Sequence, residues 1–467
     1  MEITKSFDEN FRNFCNLAVV DQNFDINKRV FFVGGQKCAI FQIKGAAKSF
    51  DTTTIMNSMM NMHGDIGQLS EQDVMDRMIP YIEASVQKDI YEALNNIYLG
   101  NAVLFVDGID CAFIIDAKTL PQRNIEEPEK DKVIRGSRDG FVEIPIFNAA
   151  LLRRRIRSPQ LRLERVVIGE KSKSDIVVAY MDDRCDKEFL NRLKQKLENL
   201  KIESAAMNQE TISENLFPHK WYNPLPIVKY SERPDYTSAS LLQGSIVLMI
   251  DNSPSVMILP SKFLDFMSEA NDYYFPPFTG TYYRIIKSIM ILLALFWAPI
   301  WLYLMENQEL IPEWLSFLRS KEEIVAVPIA VQMLIMEFTF EAMRISTLNS
   351  PQNLGATIGI VGALLVGDFA VQSGWLTSSV VFYMAFFSVT LMAAPSIEIG
   401  YSIKFFRVFL VMMTWIFKLP GLIIGTIAIL ALAASTKTVS GKPYFYPIIP
   451  LNLKVLIKSI LRPRLKR

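Results

Sequence analysis

IIKSIMILLALFWAPIWLYLM, residues 285–305, decides the architecture: apart from Lys287 near its start it carries no charge, and Pro299 lies beyond its middle. About 20 such residues cross the hydrocarbon core of a bilayer. Downstream the pattern repeats, with apolar stretches at 325–345, 354–372 and 379–395. A fifth, 405–434, is too long for one straight span and too short for two, and Lys418, Pro420 and Gly421 interrupt it. Proline removes a backbone donor and glycine loosens a helix, so a kinked or re-entrant pair of half-helices is expected there.

Charge divides the chain at the same place. Residues 1–280 hold 33 Lys/Arg against 39 Asp/Glu, a net of −6; residues 281–467 hold 16 against 9, a net of +7. A mildly acidic soluble half thus precedes a basic, apolar half. Nucleic-acid binding wants a basic domain, so no nucleic-acid partner is expected. Cys15, Cys38, Cys111 and Cys185 stand far apart, and His63 and His219 are the only histidines. That leaves no common zinc spacing and no disulfide framework, and neither a metal nor another cofactor is expected. The start, MEITKSFDENFRNF, is charged and lacks the apolar core of a signal peptide, so the soluble half is expected in the cytosol.

The flanks give an orientation. Arg284 and Lys287 precede the first span on the side of the soluble half, while the loop 306–323 carries five acids against Arg319 and Lys321. The tail from Lys437 has eight Lys/Arg and no acid, which suits the cytosol. Five full crossings would export that tail; a re-entrant fifth element retains it, and that topology is preferred. Leu453, Leu456, Ile457 and Ile460 share one helical side, with Lys454 and Lys458 on another, as in a helix lying in the lipid interface.

In the soluble half, apolar runs flank Gly34-Gly35-Gln36-Lys37 and Asp107-Gly108, both hairpin signals. Residues 75–98 have helix-spaced apolar positions, with Val86, Ile90, Leu94 and Ile97 as one stripe and Pro80 as a break. Strand-like runs at 166–168 and 176–180, an amphipathic helix through Phe189, Leu190, Leu193, Leu197 and Leu200, and a hairpin turning at Asp251-Asn252-Ser253-Pro254 follow. The expected organisation is multidomain: an α/β N-terminal region of two subdomains with mixed sheets (1–120 and 140–275) joined by a linker or loop (121–139). An all-α polytopic transmembrane bundle of four to six segments (281–434) and a basic interfacial tail (435–467) complete it.

Three groups of residues stand out as candidate sites. Glu337, Glu341 and Arg344 lie at i, i+4 and i+7 in the second apolar stretch, and Asp368 near the end of the third. Ionisable groups at membrane depth are costly and face a water-filled path or one another, so these are pore or ion-pathway candidates, with a structural Glu341–Arg344 pair as the plainer reading. Gly355, Gly359 and Gly362 give the third stretch a small-residue face, for close helix packing or for lining a narrow pore. Arg153, Arg154, Arg155 and Arg157 form a basic run; Arg153 and Arg157 share a face if the helix continues. It reads either as a ridge for lipid headgroups or an acidic partner, or as a solvated face. No Ser/His/Asp set or phosphate loop appears, and an enzyme is not expected.

The stretch Val133-Ile134-Arg135-Gly136-Ser137-Arg138-Asp139-Gly140-Phe141-Val142-Glu143, with Glu127-Pro128 before it and the run from Asn148 to Arg157-Ser158-Pro159 after it, resembles the A subunits of bacterial spore germinant receptors, the GerA (GerABKA) family. The 241–260 hairpin and the 355–374 stretch are similar too. FPPFTGTY (275–282), IPEWLSFL (311–318), and Pro443-Tyr444 with Pro447 through Asn452 are similar to one sporulation branch of that family. Ser137 stands where many relatives have proline, and Asp368 where many have a neutral amide. The resemblance implies a protein of the inner spore membrane that acts when dormant spores release ions. It further implies partner membrane subunits and a homo-oligomeric ring whose helices conduct monovalent cations. The competing expectation is an interaction protein whose membrane half only anchors and assembles.

Overall fold

The computed structural model describes residues 1–46, 49–61, 70–79, 83–118, 133, 136–203, 207–218, 220–318, 325, 327–348, 362, 369–392 and 394–461. The chain forms two units, Met1–His219 with Val228–Pro260, and Lys220–Ile227 with Ser261–Arg467.

In the first unit, α1 (Phe7–Ala18) leads into β1 (Ile26–Val33) and β2 (Gln36–Ile43). Then come α2 (Ser49–Met60), α3 (Glu71–Met78), β3 (Ala84–Gln87), α4 (Ile90–Tyr98), β4 (Ala102–Val106) and β5 (Ala112–Ile115). The sheet order is β1-β2-β4-β5-β3. The sequence of elements then repeats, as α5 (Pro145–Arg155), β6 (Leu161–Ile168), β7 (Ser174–Met181), α6 (Lys187–Glu198), α7 (Asn208–Leu216), β8 (Lys229–Ser231), α8 (Pro234–Leu242), β9 (Ile246–Ile250) and β10 (Val256–Leu259). Its sheet order, β6-β7-β9-β10-β8, matches the first strand for strand. One α/β pattern is used twice.

The α/β class is as the sequence suggests, but the pairings between the named strands are antiparallel rather than mixed. Short turns dictate four of these pairings, β1–β2, β4–β5, β6–β7 and β9–β10, since a tight turn can only join antiparallel neighbours. Gly34 and Gly35 take φ of 54° and 87° between β1 and β2, the positive pair a two-residue turn requires. The expected helical stripe through Val86 is corrected: α3 stops at Met78, Val86 lies in β3, and α4 begins afresh at Asp89, whose side chain accepts from the Tyr91 N–H. Ile90, Leu94 and Ile97 do share its buried face. Each face of the first sheet is covered, one by Ile55, Met59, Val74 and Met78 and the other by Phe7, Phe14, Leu94 and Ile97. That is why β4 is buried along its whole length.

In the second unit, α9 (Phe263–Phe266) and α10 (Ala270–Tyr274) precede α11 (Pro277–Glu306), α12 (Ile329–Leu348), α13 (Ser378–Met392), α14 (Ile397–Ser435) and α15 (Leu453–Ile460). Two of them, α11 and α14, are long and apolar enough to cross a membrane, and Ser378–Leu391 is a shorter apolar helix. Trp301, Leu302, Met333, Met336, Met384, Phe387 and Val411 make one core among α11, α12, α13 and α14. The Gln332 side chain fastens the start of α12 to that of α13, accepting from the Thr377 N–H at 2.8 Å.

Helix α14 is not straight. At Lys418 the backbone leaves the helical region (φ 55°, ψ −139°), within the interruption the sequence marks. A methyl group on Gly421 would lie 1.9 Å from the Met413 carbonyl oxygen, and one on Gly425 would lie 2.9 Å from Leu410. In a straight helix residues 413 and 421 would be about 12 Å apart. The chain therefore doubles back, and the two arms of α14 pack against each other with glycines at their closest approach. Lys418, at the bend, pairs with Glu306 at the end of α11.

Candidate functional site

The first arm of α14 runs antiparallel to α12, and a strip of charge lies between them. From α12 come Glu337, Glu341 and Arg344, spaced so that one helical face carries all three. From α14 come Tyr401, Lys404 and Arg407, at steps of three. Arg407 Nη2 donates to both oxygens of Glu337, at 2.8 and 2.7 Å. Lys404 pairs with Glu341 and stands 3.7 Å from Glu337. The Tyr401 hydroxyl donates to Glu341 at 3.3 Å, and the Arg344 guanidinium stacks on the Tyr401 ring at 4.6 Å.

This ladder is graded in burial. Side-chain exposure is 3% for Arg407 and 12% for Glu337, against 25% for Glu341. The Arg407 guanidinium also lies 5.9 Å from the Phe387 ring centroid. In such surroundings an isolated charge is very costly, while a paired and hydrogen-bonded one is tolerated. The arrangement neutralises both carboxylates of α12 and leaves one positive charge in excess, since Arg344, Lys404 and Arg407 face Glu337 and Glu341.

Glu337, Glu341 and Arg344 lie on one strip, as their spacing suggests, but the expected Glu341–Arg344 pair gives way to Glu341–Lys404. Asp368, Gly355 and Gly359 lie outside the described residues. At Gly362 a methyl group would meet the Met343 terminus at 2.4 Å, so this glycine allows close approach to α12. In the sequence Lys404 immediately precedes the fifth stretch and Arg407 lies at its start, where both read as flanking charges. Their spacing of three, with Tyr401 three residues earlier, is the signal that matches the strip on α12.

The basic run of α5 divides. Arg153 is buried, with Nε and Nη2 on Asp25 at 3.0 and 3.1 Å, Nη2 also on Asn23 at 3.2 Å, and its guanidinium 5.3 Å from the Tyr98 ring. It ties the second copy of the α/β pattern to the first. Arg155 donates to both oxygens of Asp139 at 2.6 Å. Burial pulls the Asp139 carboxyl upward, but the hydrogen bonds from Arg155 and Ser137 outweigh it and hold it below the usual range. Because α5 ends at Arg155, Arg157 does not share a helical face with Arg153. A ridge of four is corrected to two exposed residues, Arg154 and Arg157. The neighbouring stretch is structural too: the Val142 N–H and C=O both bond the Asn148 side chain, at 2.8 and 2.6 Å.

Paired antiparallel α/β layers followed by apolar helices locked through internal charges define a two-part protein with membrane-helix character. The chain belongs to the family described as Bacillus/Clostridium GerA spore germination protein, whose model matches residues 16–467. Among its relatives in Bacillus subtilis, it is similar to stage V sporulation protein AF, 28% identical over 97% of this chain and 92% of that one. It is also similar to the uncharacterized membrane protein YfkQ, 30% identical over 94% and 86%, and to spore germination protein KA, 29% identical over 84% and 72%. The crystal structure of the N-terminal domain of the A subunit of the Bacillus megaterium spore germinant receptor GerK3 aligns with 22% identity. It covers 56% of this chain and 98% of that one, with a TM-score of 0.43. Family membership supports a role in spore germination.

Proposed function

We propose that the chain is a multi-pass subunit of the inner spore membrane, with its soluble unit and C-terminal tail facing the cytosol or spore core. It assembles with copies of itself, and with other membrane subunits of a germination complex, into a ring that conducts monovalent cations on a germination signal. The observation that carries this reading is the ladder of five ionisable groups between two apolar helices. Such groups are costly at membrane depth and mark ion paths or internal locks. Here they engage one another, which fits a closed state. The test is reconstitution of the full chain into liposomes, alone and with a co-expressed membrane partner, reading potassium and sodium flux. Flux that requires the assembled chain supports the proposal.

A second reading is a non-conducting scaffold, or a receptor A subunit that docks its partners. It is favoured by the neutralisation of Glu337 by Arg407, which gives that carboxylate a sufficient structural reason. Rings that assemble but pass no ions, with or without the partner, select it.

A further inference from the structure

Strand β1 is one edge of the first sheet, and β6, in the equivalent place, is one edge of the second. In an antiparallel ladder alternate residues turn their N–H and C=O to opposite sides. The Asp25 C=O accepts from the Lys44 N–H, in line with the β1–β2 pairs, so Asn27, Arg29 and Phe31 face β2 while Lys28, Val30 and Phe32 face outward. Among the described residues nothing bonds those outward backbone groups. The β6 edge differs. Leu163 holds the place in β6 that Lys28 holds in β1, and both of its groups are taken. Its N–H donates to Asn23 Oδ1 at 3.1 Å, and its C=O accepts from the Phe24 N–H at 3.1 Å. An extended segment thus docks on one of the two edges and leaves the other open.

Proteins blunt open edges with charge, proline or bulges. Here Lys28 and Arg29 blunt only the first part; Val30 is exposed, and Phe32 beyond it is 61% exposed. Lys28 has Asp21 at 3.3 Å, but Arg29 has no acid among the described residues. Side chains alternate across a strand, so Val30 and Phe32 project on one face and Arg29 on the other. We propose that β1, from Lys28 to Phe32, receives an extended segment of a partner protein as an added strand, and that this segment alternates apolar residues with acids. Its backbone pairs with the outward groups, its apolar side chains cover Val30 and Phe32, and an acid lies beside Arg29. Charge favours such a partner over a second copy, since β1 laid on β1 would bring Lys28 and Arg29 of each together with no acid in either strand. The surface stands whether or not the assembled chain conducts.

The test uses the full chain in detergent and two labelled, blocked heptapeptides, one alternating valine with glutamate and the other valine with lysine. Fluorescence anisotropy reads binding, and amide hydrogen exchange reads its place. The glutamate peptide should bind saturably and slow exchange at Lys28, Val30 and Phe32, and the lysine peptide should bind at least about tenfold more weakly. Val30→Pro deletes one outward N–H and leaves the bonds to β2, a change that edge strands tolerate, and should abolish binding. Should that variant fail to fold, Arg29→Glu takes its place and should reverse the preference between the peptides. No saturable binding, equal binding of the two peptides, or protection elsewhere in the chain overturns the proposal. Self-association of the parent that Val30→Pro removes overturns it too, by assigning the edge to a second copy.

Discussion

Glu337 of α12 takes both of its hydrogen bonds from a single nitrogen of Arg407 on α14, at 2.8 and 2.7 Å. Both side chains are largely covered, Arg407 at 3% and Glu337 at 12% exposure. Glu337→Gln keeps the side-chain size but strands a buried guanidinium. Stranding one member of a buried pair costs about 3–5 kcal/mol. Thermal melting of the purified chain should show that loss, and Glu337→Gln with Arg407→Met should recover much of it. Flux per assembled complex, measured on the stable double variant, then tests the conduction reading. Unchanged flux removes Glu337 from the path.

Asp25 and Arg153 join the two copies of the α/β pattern, with side chains 0% and 1% exposed. Asp25→Ala should destabilise the first unit by about 3–5 kcal/mol, while Arg154→Ala and Arg157→Ala, both exposed, should change it by less than about 0.5 kcal/mol. Urea denaturation followed by the exposure of the buried Cys38 and Cys111 thiols to a labelling reagent separates these outcomes. Equal effects of Asp25→Ala and Arg157→Ala would contradict the division of the basic run.

Asp139 contributes a pH dependence. Its folded pKa is depressed, with Arg155 and Ser137 outweighing the effect of burial. A carboxyl depressed on folding adds stability above its unfolded pKa of about 3.9, and that stability is lost as pH falls through the lower folded value. The melting temperature of the parent should therefore fall more steeply below about pH 4 than that of Asp139→Asn. Parallel curves would show that the pair contributes no linked stability.

Gly421 and Gly362 should respond differently to alanine. At Gly421 the new methyl group would meet a backbone carbonyl at 1.9 Å, and backbone cannot step aside. At Gly362 it would meet the flexible end of Met343. Gly421→Ala should sharply reduce the yield of folded chain, by tenfold or so in an expression assay, and Gly362→Ala should reduce it little. A comparable yield for the two variants would show that the arms of α14 separate at Gly421 without penalty.

Cysteine accessibility tests the orientation, with the reporters chosen by burial. Burial pushes the Cys38 and Cys111 thiols up to about 12, so neither should react with maleimides before unfolding, whichever side it occupies. Trp221, 95% exposed, and Trp314, 77% exposed, are better positions. Asn223 bonds Thr436 at the end of α14, at 3.0 Å, whereas Trp314 follows the α11 terminus that meets Lys418. In a background lacking Cys15, Trp221→Cys and Trp314→Cys should label from opposite sides of sealed vesicles. Labelling from the same side would refute the proposed crossing of α11.

Hairpin turns and amphipathic stripes were legible in the sequence because local chemistry sets them. Gly34-Gly35 needs positive φ, and Leu190, Leu193 and Leu197 have only one face to bury. The strip Glu337, Glu341 and Arg344 was legible for the same reason. Its partners were not, since which helix lies opposite depends on tertiary packing, and Lys404 and Arg407 read equally well as flanking charges. The burial of Arg153 was hidden because its partner Asp25 is 128 residues away. The twofold use of one α/β pattern was hidden too. It is a repeat of strand order, with Gly34-Gly35 at a turn in one copy and a longer excursion through Gly169 in the other.

That repetition carries a historical consequence. Counting back from the first strand of each copy, the positions equivalent to Arg153 and Asp25 are Ala18 and Gln160. Ala18 is buried and Gln160 exposed, so the contact between the copies has no mirror image. If the pattern arose by gene duplication, its join was made by residues that only one copy of each kind possesses. Each copy could then diverge without a compensating change in its twin, since no symmetry binds them to change together.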